Sequence, residues 1–301
     1  MPKQKPETWK LNGRTIEITS LDRRYWPDDD LTKGDMLDYY RQIAPIMLPF
    51  LLERPLTLRV FPRGIAGPGY WRRELADSAP DWLRSVTYQP ESRSDKIKVP
   101  LIDDEAGLIW HANHAAIEFH QWLSTADDLE RPNWAVFDLD PGEKVDFKQV
   151  LEAAMHVRNE LAANDLTGFA KTSGGVGLHV FVPLEPEASF ETVREWVHGV
   201  AKRLAEQQPD LISTASGGTH EGRKVTIDHA QNSIGRNTAA PYTLRARPGA
   251  PVSTPVSWDE VKRGQIRPDQ FTLKTVPKRV QKLGDLWAHA LKLRQKLPAD
   301  A

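Results

Sequence analysis

Between residues 133 and 228 the apolar period alternates between that of strands and that of helices, and the order of the alternation leaves few ways to fold. NWAVFDLD (133–140) is an apolar run closed by Pro141 and Gly142, as in a strand that ends in a turn. Asp146 opens a helical pattern, with Gln149 three residues on as a capping partner and Val150, Ala154, Val157 and Leu161 along one face. Residues 169–172 read as a second strand, SGGVG (173–177) as a glycine turn and LHVFVPL (178–184) as a third strand. Ser189 opens a second helix striped by Phe190, Val193, Val197, Val200 and Leu204, and KVTID (224–228) is a fourth strand. The order β-α-β-β-α-β belongs to the ferredoxin-like, split βαβ arrangement. Such a fold hosts many activities, so function has to come from what the strands display.

Alternation along a strand puts Asp138 and Asp140 on one face, with their Cα atoms roughly 6.5 to 7 Å apart, and Ala135, Phe137 and Leu139 on the other. In the fourth strand Val225 and Ile227 take the core side, and Asp228 the opposite one. If the first and fourth strands are neighbours, three carboxylates converge. Hard oxygen ligands of this kind suit magnesium or manganese, and two such ions can align a hydroxyl and a pyrophosphate for in-line displacement. A D-x-D pair alone also occurs in turns and hydrated strand ends, so Asp228 is what gives it weight.

The turn Ser173-Gly-Gly-Val-Gly lies between two strands, so it is neither a P-loop nor a dinucleotide fingerprint, both of which lead into a helix. It is either a plain hairpin turn or a phosphate cradle of backbone N–H groups with the Ser173 hydroxyl as an extra donor. His179 faces away from Leu178 and Val180, either as a packing residue or as a donor beside a triphosphate. The amino-terminal part is less regular: 35–52 reads as helix and 57–61 as strand, with aromatics, arginines and histidines mixed up to Trp122. The last 70 residues open on a proline-rich stretch (240–255) and close in basic helical turns. With no internal repeat, the whole of 1–301 reads as one unit with a soft boundary near 125–133.

Charge is where composition matters. The net formal charge is −1, which looks unlike a nucleic-acid binder. Yet residues 1–100 carry 17 basic and 14 acidic side chains, 101–165 carry 4 and 14, and 166–301 carry 19 and 13. An acidic centre between basic flanks fits a metal site amid anion-binding surface, as well as plain solvated charge. The absence of cysteine excludes disulfides, thiolate metal sites and a thiol nucleophile. The longest apolar stretch, 43–52, is broken by two prolines and is far short of the roughly 20 residues that cross a bilayer, and the first ten residues lack the apolar core of a secretory signal. The chain reads as soluble and intracellular, with no membrane partner.

VFDLDPGE (136–143), TSGGVGLHVFVPL (172–184) and IDHAQNSIGRNTAAPYTLRARPGAPVSTP (227–255) closely resemble motifs I, II and III of the polymerase domain of bacterial multifunctional ligase D, a member of the archaeo-eukaryotic primase superfamily that serves in non-homologous end joining. LTKGDMLDYY (31–40), SAPDWL (78–83) and AAIEFHQWL (115–123) resemble the same family, so the likeness runs from about residue 20 to 285. It implies an α+β, archaeo-eukaryotic primase fold, with a βαββαβ catalytic palm and an amino-terminal α/β module packed on it. It also implies a template-directed nucleotidyltransferase that adds ribonucleotides preferentially, and deoxynucleotides, to 3′ ends at breaks or gaps. Two Mn2+ or Mg2+ ions are the implied cofactors and NTP or dNTP the substrate.

By that resemblance Asp138, Asp140 and Asp228 are the metal-binding catalytic carboxylates. His120, Ser173, His179, Arg245 and Arg247 match nucleotide contacts, and the i, i+2 spacing of the two arginines is what a strand needs to turn two guanidinium forks toward one polyanion. Lys33 and Arg23 resemble the basic pocket for a 5′-phosphate. Tyr70 and Trp71 stand where paired aromatics stack on the template, core packing being the alternative for Trp71, and Arg59 and Arg73 line the same groove. The implied partners are DNA ends with a 5′-phosphate, a ligase and Ku-type end-binding proteins, in a nucleoid-associated cytoplasmic setting. One departure stands out: the family usually has lysine where this chain has Val176, which removes a phosphate contact that Arg236 could partly replace. That departure keeps a second reading open, an end-bridging module without efficient synthesis; a stand-alone primase is a third.

Overall fold

The computed structural model describes residues 6–91, 93–215 and 222–298. Residues 1–5, part of the segment read for a leader, lie outside them. Among the described residues no helix is long and apolar enough to cross a membrane.

The amino-terminal half opens with two antiparallel pairs, β1 (Glu7–Leu11) with β2 (Arg14–Ile18) and β3 (Arg24–Trp26) with β4 (Leu31–Thr32). Helix α1 (Lys33–Leu51) follows at once, because Thr32 and Asp35 form a capping box that satisfies two otherwise orphaned N–H groups. Its Pro45 and Pro49 are accommodated within the helix. Next come β5 (Leu56–Val60), β6 (Tyr70–Arg72), the pair β7 (Ser85–Tyr88) and β8 (Ile97–Pro100), α2 (Glu105–Asn113) and β9 (Ala116–Gln121).

The second half carries the expected palm. It runs β10 (Trp134–Pro141), α3 (Phe147–Ala163), β11 (Phe169–Thr172), β12 (Leu178–Pro183), α4 (Phe190–Gln207), β13 (Ile212–Ala215) and β14 (Val225–Asp228). The Asp146–Gln149 capping box starts α3 and a Ser189 cap starts α4, and both anticipated apolar stripes are buried. Beyond lie β15 (Thr238–Ala239), β16 (Pro255–Val256), α5 (Trp258–Arg263) and α6 (Val276–Leu283).

Six strands form the palm sheet in the order β13-β14-β10-β12-β11-β16. Its centre is the split βαβ order, with the first and fourth predicted strands side by side. The parallel edge strand β13 and the short β16 extend it on either side and have no clear period in the sequence. Ala135, Phe137 and Leu139 face α3 and α4, where Phe137 meets Trp196 edge-on at 5.5 Å. The opposite face is divided. Toward one end Trp134 and Phe181 pack on Trp287, which also touches Phe50 of α1. Toward the other end the same face carries Asp138, Asp140 and His179.

A second sheet, β15-β9-β5-β6, stands across from that polar end. Its first strand comes from residues 238–239, so the amino-terminal sheet is completed by chain from the palm side. One continuous core of buried side chains runs through both halves.

Candidate functional site

The register of the palm sheet places four polar residues on a single rung. Asp228 of β14 lies opposite Asp138 of β10, Asp138 opposite His179 of β12, and His179 opposite Lys171 of β11. Residues directly opposite in antiparallel strands project to the same face, with Cβ atoms about 4.5 to 5.5 Å apart. Asp140 is two residues along β10 and shares that face, opposite Thr226. The first and fourth predicted strands are therefore neighbours, and the three carboxylate-bearing positions share one face.

Close polar contacts run along the rung. His179 Nε2 lies 3.1 Å from Asp138 Oδ1, and its Nδ1 is 2.9 Å from Lys171 Nζ. Lys171 is fully buried and also reaches Ser253 Oγ at 2.6 Å, while its ammonium stands 5.5 Å above the Phe181 ring. Burial pushes the pKa of both groups well below their usual values, with the charge of Arg245 acting in the same direction on Lys171 and that of Lys171 on His179. The Asp228 carboxylate accepts from Ala230 N–H at 2.8 Å and from Gln231 Nε2 at 3.5 Å.

Between the two sheets opens a hollow of about 410 Å³ lined by Asp138, Asp140, His179, Ser173, His120 and Trp71, with Arg73, Arg236, Arg245 and Arg247 around it. Asp228 is not among its lining residues; Gln231, which donates to it, is. The opposite wall is organised by Glu118. This buried carboxylate meets His120 Nε2 at 2.7 Å, Arg245 Nε at 3.0 Å and the Ala246 N–H at 2.9 Å. Burial alone would raise the Glu118 pKa, but His120, Arg245 and the Ala246 N–H outweigh it and bring it down to about 2. His120 itself is shifted down by burial, which outweighs its carboxylate partner. Glu118 is thus an anion and His120 neutral.

The two arginines do not sit in a strand as their spacing suggested. They lie in an irregular turn, where Arg247 N–H donates to Arg245 O at 2.8 Å and Trp26 Nε1 donates to Arg247 O at 2.9 Å. Both still reach the hollow, but unequally: Arg245 is tied to Glu118 and to the Ser173 carbonyl, while Arg247 is exposed. The glycine turn is a true hairpin turn at the hollow's rim, with Ser173 N–H on Gly177 O at 3.0 Å. Its N–H groups are not a bare phosphate cradle: Gly175 N–H and Gly177 N–H both donate to Ser173 Oγ at 3.1 Å, so the serine holds the turn together. Gly174 has φ +70, and a Cβ there would lie 2.6 Å from Arg245 Cγ.

Val176 is 58% exposed and lines both this hollow and an adjoining, more apolar one of about 500 Å³ beside Phe147 and Pro248. Trp71 is also half exposed, which rules out core packing, and it meets His120 edge-on at 4.8 Å. Arg59 sits behind it, 5.1 Å from the Trp71 ring centroid, and Tyr70 is exposed on the same strand but away from the hollow. Arg73 and Arg236 are exposed at the rim.

Lys33 departs from its expected place. Its side chain is buried, with Nζ donating to Thr19 O at 2.6 Å and Asn113 Oδ1 at 2.7 Å. Burial, aided by nearby Arg23, lowers its pKa to about 8. The ammonium thus lies behind a second hollow of about 410 Å³ that Thr19, Asn113, Trp110 and His114 line, while Arg23 is exposed and donates to Pro62 O at 2.8 Å.

This geometry has a counterpart in known proteins. The profile described as LigD, primase-polymerase domain, matches residues 32–287. The chain belongs to the LigD primase-polymerase family. It is 35% identical over 277 residues to the multifunctional non-homologous end joining protein LigD of Mycolicibacterium smegmatis, covering 91% of this chain and 36% of that protein. It is 31% identical to LigD of Pseudomonas aeruginosa, over 94% of this chain and 34% of that protein. The chain thus spans about a third of the curated LigD proteins it matches. Among solved structures, the polymerase domain of Mycobacterium tuberculosis Ligase D in complex with DNA superposes with a TM-score of 0.86 at 33% identity, covering 92% of this chain and 98% of that one. The expected archaeo-eukaryotic primase fold is the one observed.

For a LigD polymerase-type site, the carboxylates fit hard divalent cations by chemistry: they offer oxygen donors only, on two neighbouring strands. Among the described residues no group of three His, Asp or Glu side chains is already gathered at ligating distance. The backbone places the donors, with His179 Nε2 at 3.1 Å from Asp138 Oδ1 and the Ala230 N–H donating to Asp228. Sequence reasoning missed Glu118 and Lys171. Glu118 stands two residues before His120 on one strand and so shares its face; Lys171 carries no comparable signal, because only the pairing of β11 with β12 brings it to His179.

Proposed function

We propose that this chain is a template-directed nucleotidyltransferase of non-homologous end joining. It adds ribonucleotides preferentially, and deoxynucleotides, to 3′ ends at double-strand breaks or gaps. The observation that carries the reading is the rung that sets Asp138 opposite Asp228, with Asp140 beside it, under a rim of arginines. The names of the LigD relatives and the DNA in the M. tuberculosis Ligase D structure support the setting.

In this reading Asp138, Asp140 and Asp228 hold two Mn2+ or Mg2+ ions, which when bound lower the charge cost at the 3′-oxygen and the pyrophosphate. The remaining work is done by the chain. Arg247 and Arg236 are exposed cations for the triphosphate, whereas Arg245, already neutralised by Glu118, orients more than it attracts. The Ser173 hydroxyl keeps its proton to donate while its oxygen holds the turn. The Trp71 ring offers a stacking surface worth about 1 to 3 kcal/mol per base. No protein nucleophile is required. DNA ends with a 5′-phosphate are the partners, with a ligase and Ku-type proteins, in the nucleoid. Arg23 and the hollow in front of Lys33 are the place for that phosphate.

Primer extension on a gapped, 5′-phosphorylated duplex with manganese and ribonucleotides tests the reading. Asp138→Ala and Asp228→Ala are expected to abolish extension, and robust extension by Asp138→Ala would refute the metal assignment. Exposed Val176, at the position of the family's lysine, favours one competitor, an end-bridging module: it would bind 5′-phosphorylated ends yet extend nothing at any metal or nucleotide concentration. Extension on an unprimed template would instead identify a primase.

A further inference from the structure

The apolar hollow of about 500 Å³ that adjoins the catalytic one takes no part in the reaction above. Its volume lies within the range of roughly 300 to 1,000 Å³ for small-molecule sites. Pro141, Val145 and Phe147 line it from the end of β10 and the start of α3, and Pro248, Pro251 and Thr272 from the chain beyond β15. Hydrogen bonds hold that later stretch in place: Trp26 Nε1 donates to Arg247 O at 2.9 Å, Gly249 N–H to Asp29 Oδ2 at 2.7 Å and Val252 N–H to Phe271 O at 2.8 Å. The charged lining residues are Arg247 and Asp269, and the Asp269 carboxylate already accepts from Arg267 Nε at 3.1 Å. Gly175, Val176 and Arg247 line both hollows and so form the passage between them. At that passage Val176 offers an exposed aliphatic surface, and a Cβ on Gly175 would come 3.3 Å from Arg247 Cζ, so the bare glycine lets the guanidinium lie close on the turn. Trp71, Asp138 and Asp140 line the catalytic hollow alone.

We propose that this second hollow is a subsite for a flat apolar group carried on the terminal phosphate of the nucleotide, so that the chain accepts nucleoside triphosphates whose γ-phosphate is an aryl ester. The proposal rests on the polymerase reading above, in which the reacting α-phosphate lies at the carboxylates and the far end of the triphosphate at Arg247. A substituent on that end passes Val176 toward Phe147. The lining favours an apolar occupant over a second anion: its cation, Arg247, is engaged by the triphosphate, and Asp269 repels further negative charge. The bond changes are those of ordinary nucleotide addition. The 3′-oxygen bonds to the α-phosphorus, the bond from that phosphorus to the α,β-bridging oxygen breaks, its electron pair leaves with the γ-aryl pyrophosphate, and the hydroxyl proton passes to solvent.

Calorimetric titration with ATP, its γ-methyl ester and its γ-phenyl ester, with manganese present, tests the subsite. The two esters carry equal charge, so their comparison isolates the ring. In wild type the phenyl ester is expected to bind about tenfold more tightly than the methyl ester. Phe147→Ala is expected to bring the two esters within about twofold of each other and to leave the Kd of ATP within about twofold of wild type. Equal affinity of the two esters in wild type overturns the proposal and leaves the hollow to a different occupant, as does a preference that Phe147→Ala leaves whole. Should Phe147→Ala fail to fold, Val145→Ser takes its place with the same expected and overturning results. In primer extension on a gapped duplex the phenyl ester is expected to match or exceed the methyl ester in kcat/KM; a phenyl ester that is not incorporated while ATP is overturns its role as substrate. A chain that extends with ATP but does not distinguish the esters refutes the subsite alone. One that prefers the phenyl ester yet extends no primer refutes the polymerase reading and leaves the subsite standing, and one that binds none of the three refutes both.

Discussion

Glu118→Ala isolates the buried carboxylate that organises the wall of the hollow. In the wild type its two oxygens serve His120, Arg245 and the Ala246 N–H, all at 3.0 Å or less. Removing it leaves the Arg245 guanidinium, only 16% exposed, without its partner. The loss can be sized in two ways. Lowering the carboxyl from its usual 4.5 to about 2 corresponds to about 3 kcal/mol of preferential stabilisation of the ionised form. Breaking a buried pair by deleting one member costs about 3 to 5 kcal/mol in general. The two figures agree near 3 kcal/mol, which for a chain of this size lowers Tm by about 5 °C.

The sign of the pH dependence follows from the depressed pKa. The stabilisation is complete above about pH 4.5, where Glu118 is ionised in both states, and is lost as pH falls through about 2. The Tm gap between wild type and Glu118→Ala is therefore expected to be full at pH 7 and to narrow to about half or less by pH 3. Differential scanning calorimetry of both proteins across that range is the assay, with Glu118→Gln falling between them because it keeps an acceptor for Ala246. A variant that melts within about 1 °C of wild type at neutral pH would refute the reasoning, as would a gap that does not change on acidification.

Two further outcomes follow from individual positions. Val176→Lys adds a cation at the exposed rim beside Arg247 and is expected to lower the apparent KM for the nucleotide severalfold in extension kinetics, with the effect shrinking in high salt; an unchanged KM would show that phosphate affinity does not depend on this site. Gly177→Ala would bring a Cβ to 2.5 Å from the Leu139 carbonyl, so the β10–β12 ladder must shift next to Asp140; a stability loss of about 1 to 3 kcal/mol in urea unfolding is expected, and a neutral result would mean that the ladder yields freely.

How far the site was legible in the chain depended on the range of the interactions behind each feature. Asp138 and Asp140 share a face because of a two-residue period, and the Asp146–Gln149 box and the Phe190 to Leu204 stripe are likewise written within a few residues, so the palm and its two helices were readable directly. The spacing of Arg245 and Arg247 was misleading for the opposite reason: Trp26 and Glu118, more than a hundred residues away, hold that segment as a turn. Lys33 resembles part of a basic pocket for a 5′-phosphate, and only the fold shows that Thr19 and Asn113 close over its ammonium. The two-residue strands β15 and β16 are too short to show a period and exist because a neighbouring strand offers them an edge.

Local pattern in the amino-acid order thus settled the βαββαβ palm and the face its carboxylates take, because strand and helix periods and cap spacings are short-range rules. Folding in three dimensions settled which charges are spent and which remain. It placed Glu118 against Arg245, Lys171 behind His179 and Val176 at the open rim, since burial and long-range pairing decide whether a polar group meets water, a partner or a ligand.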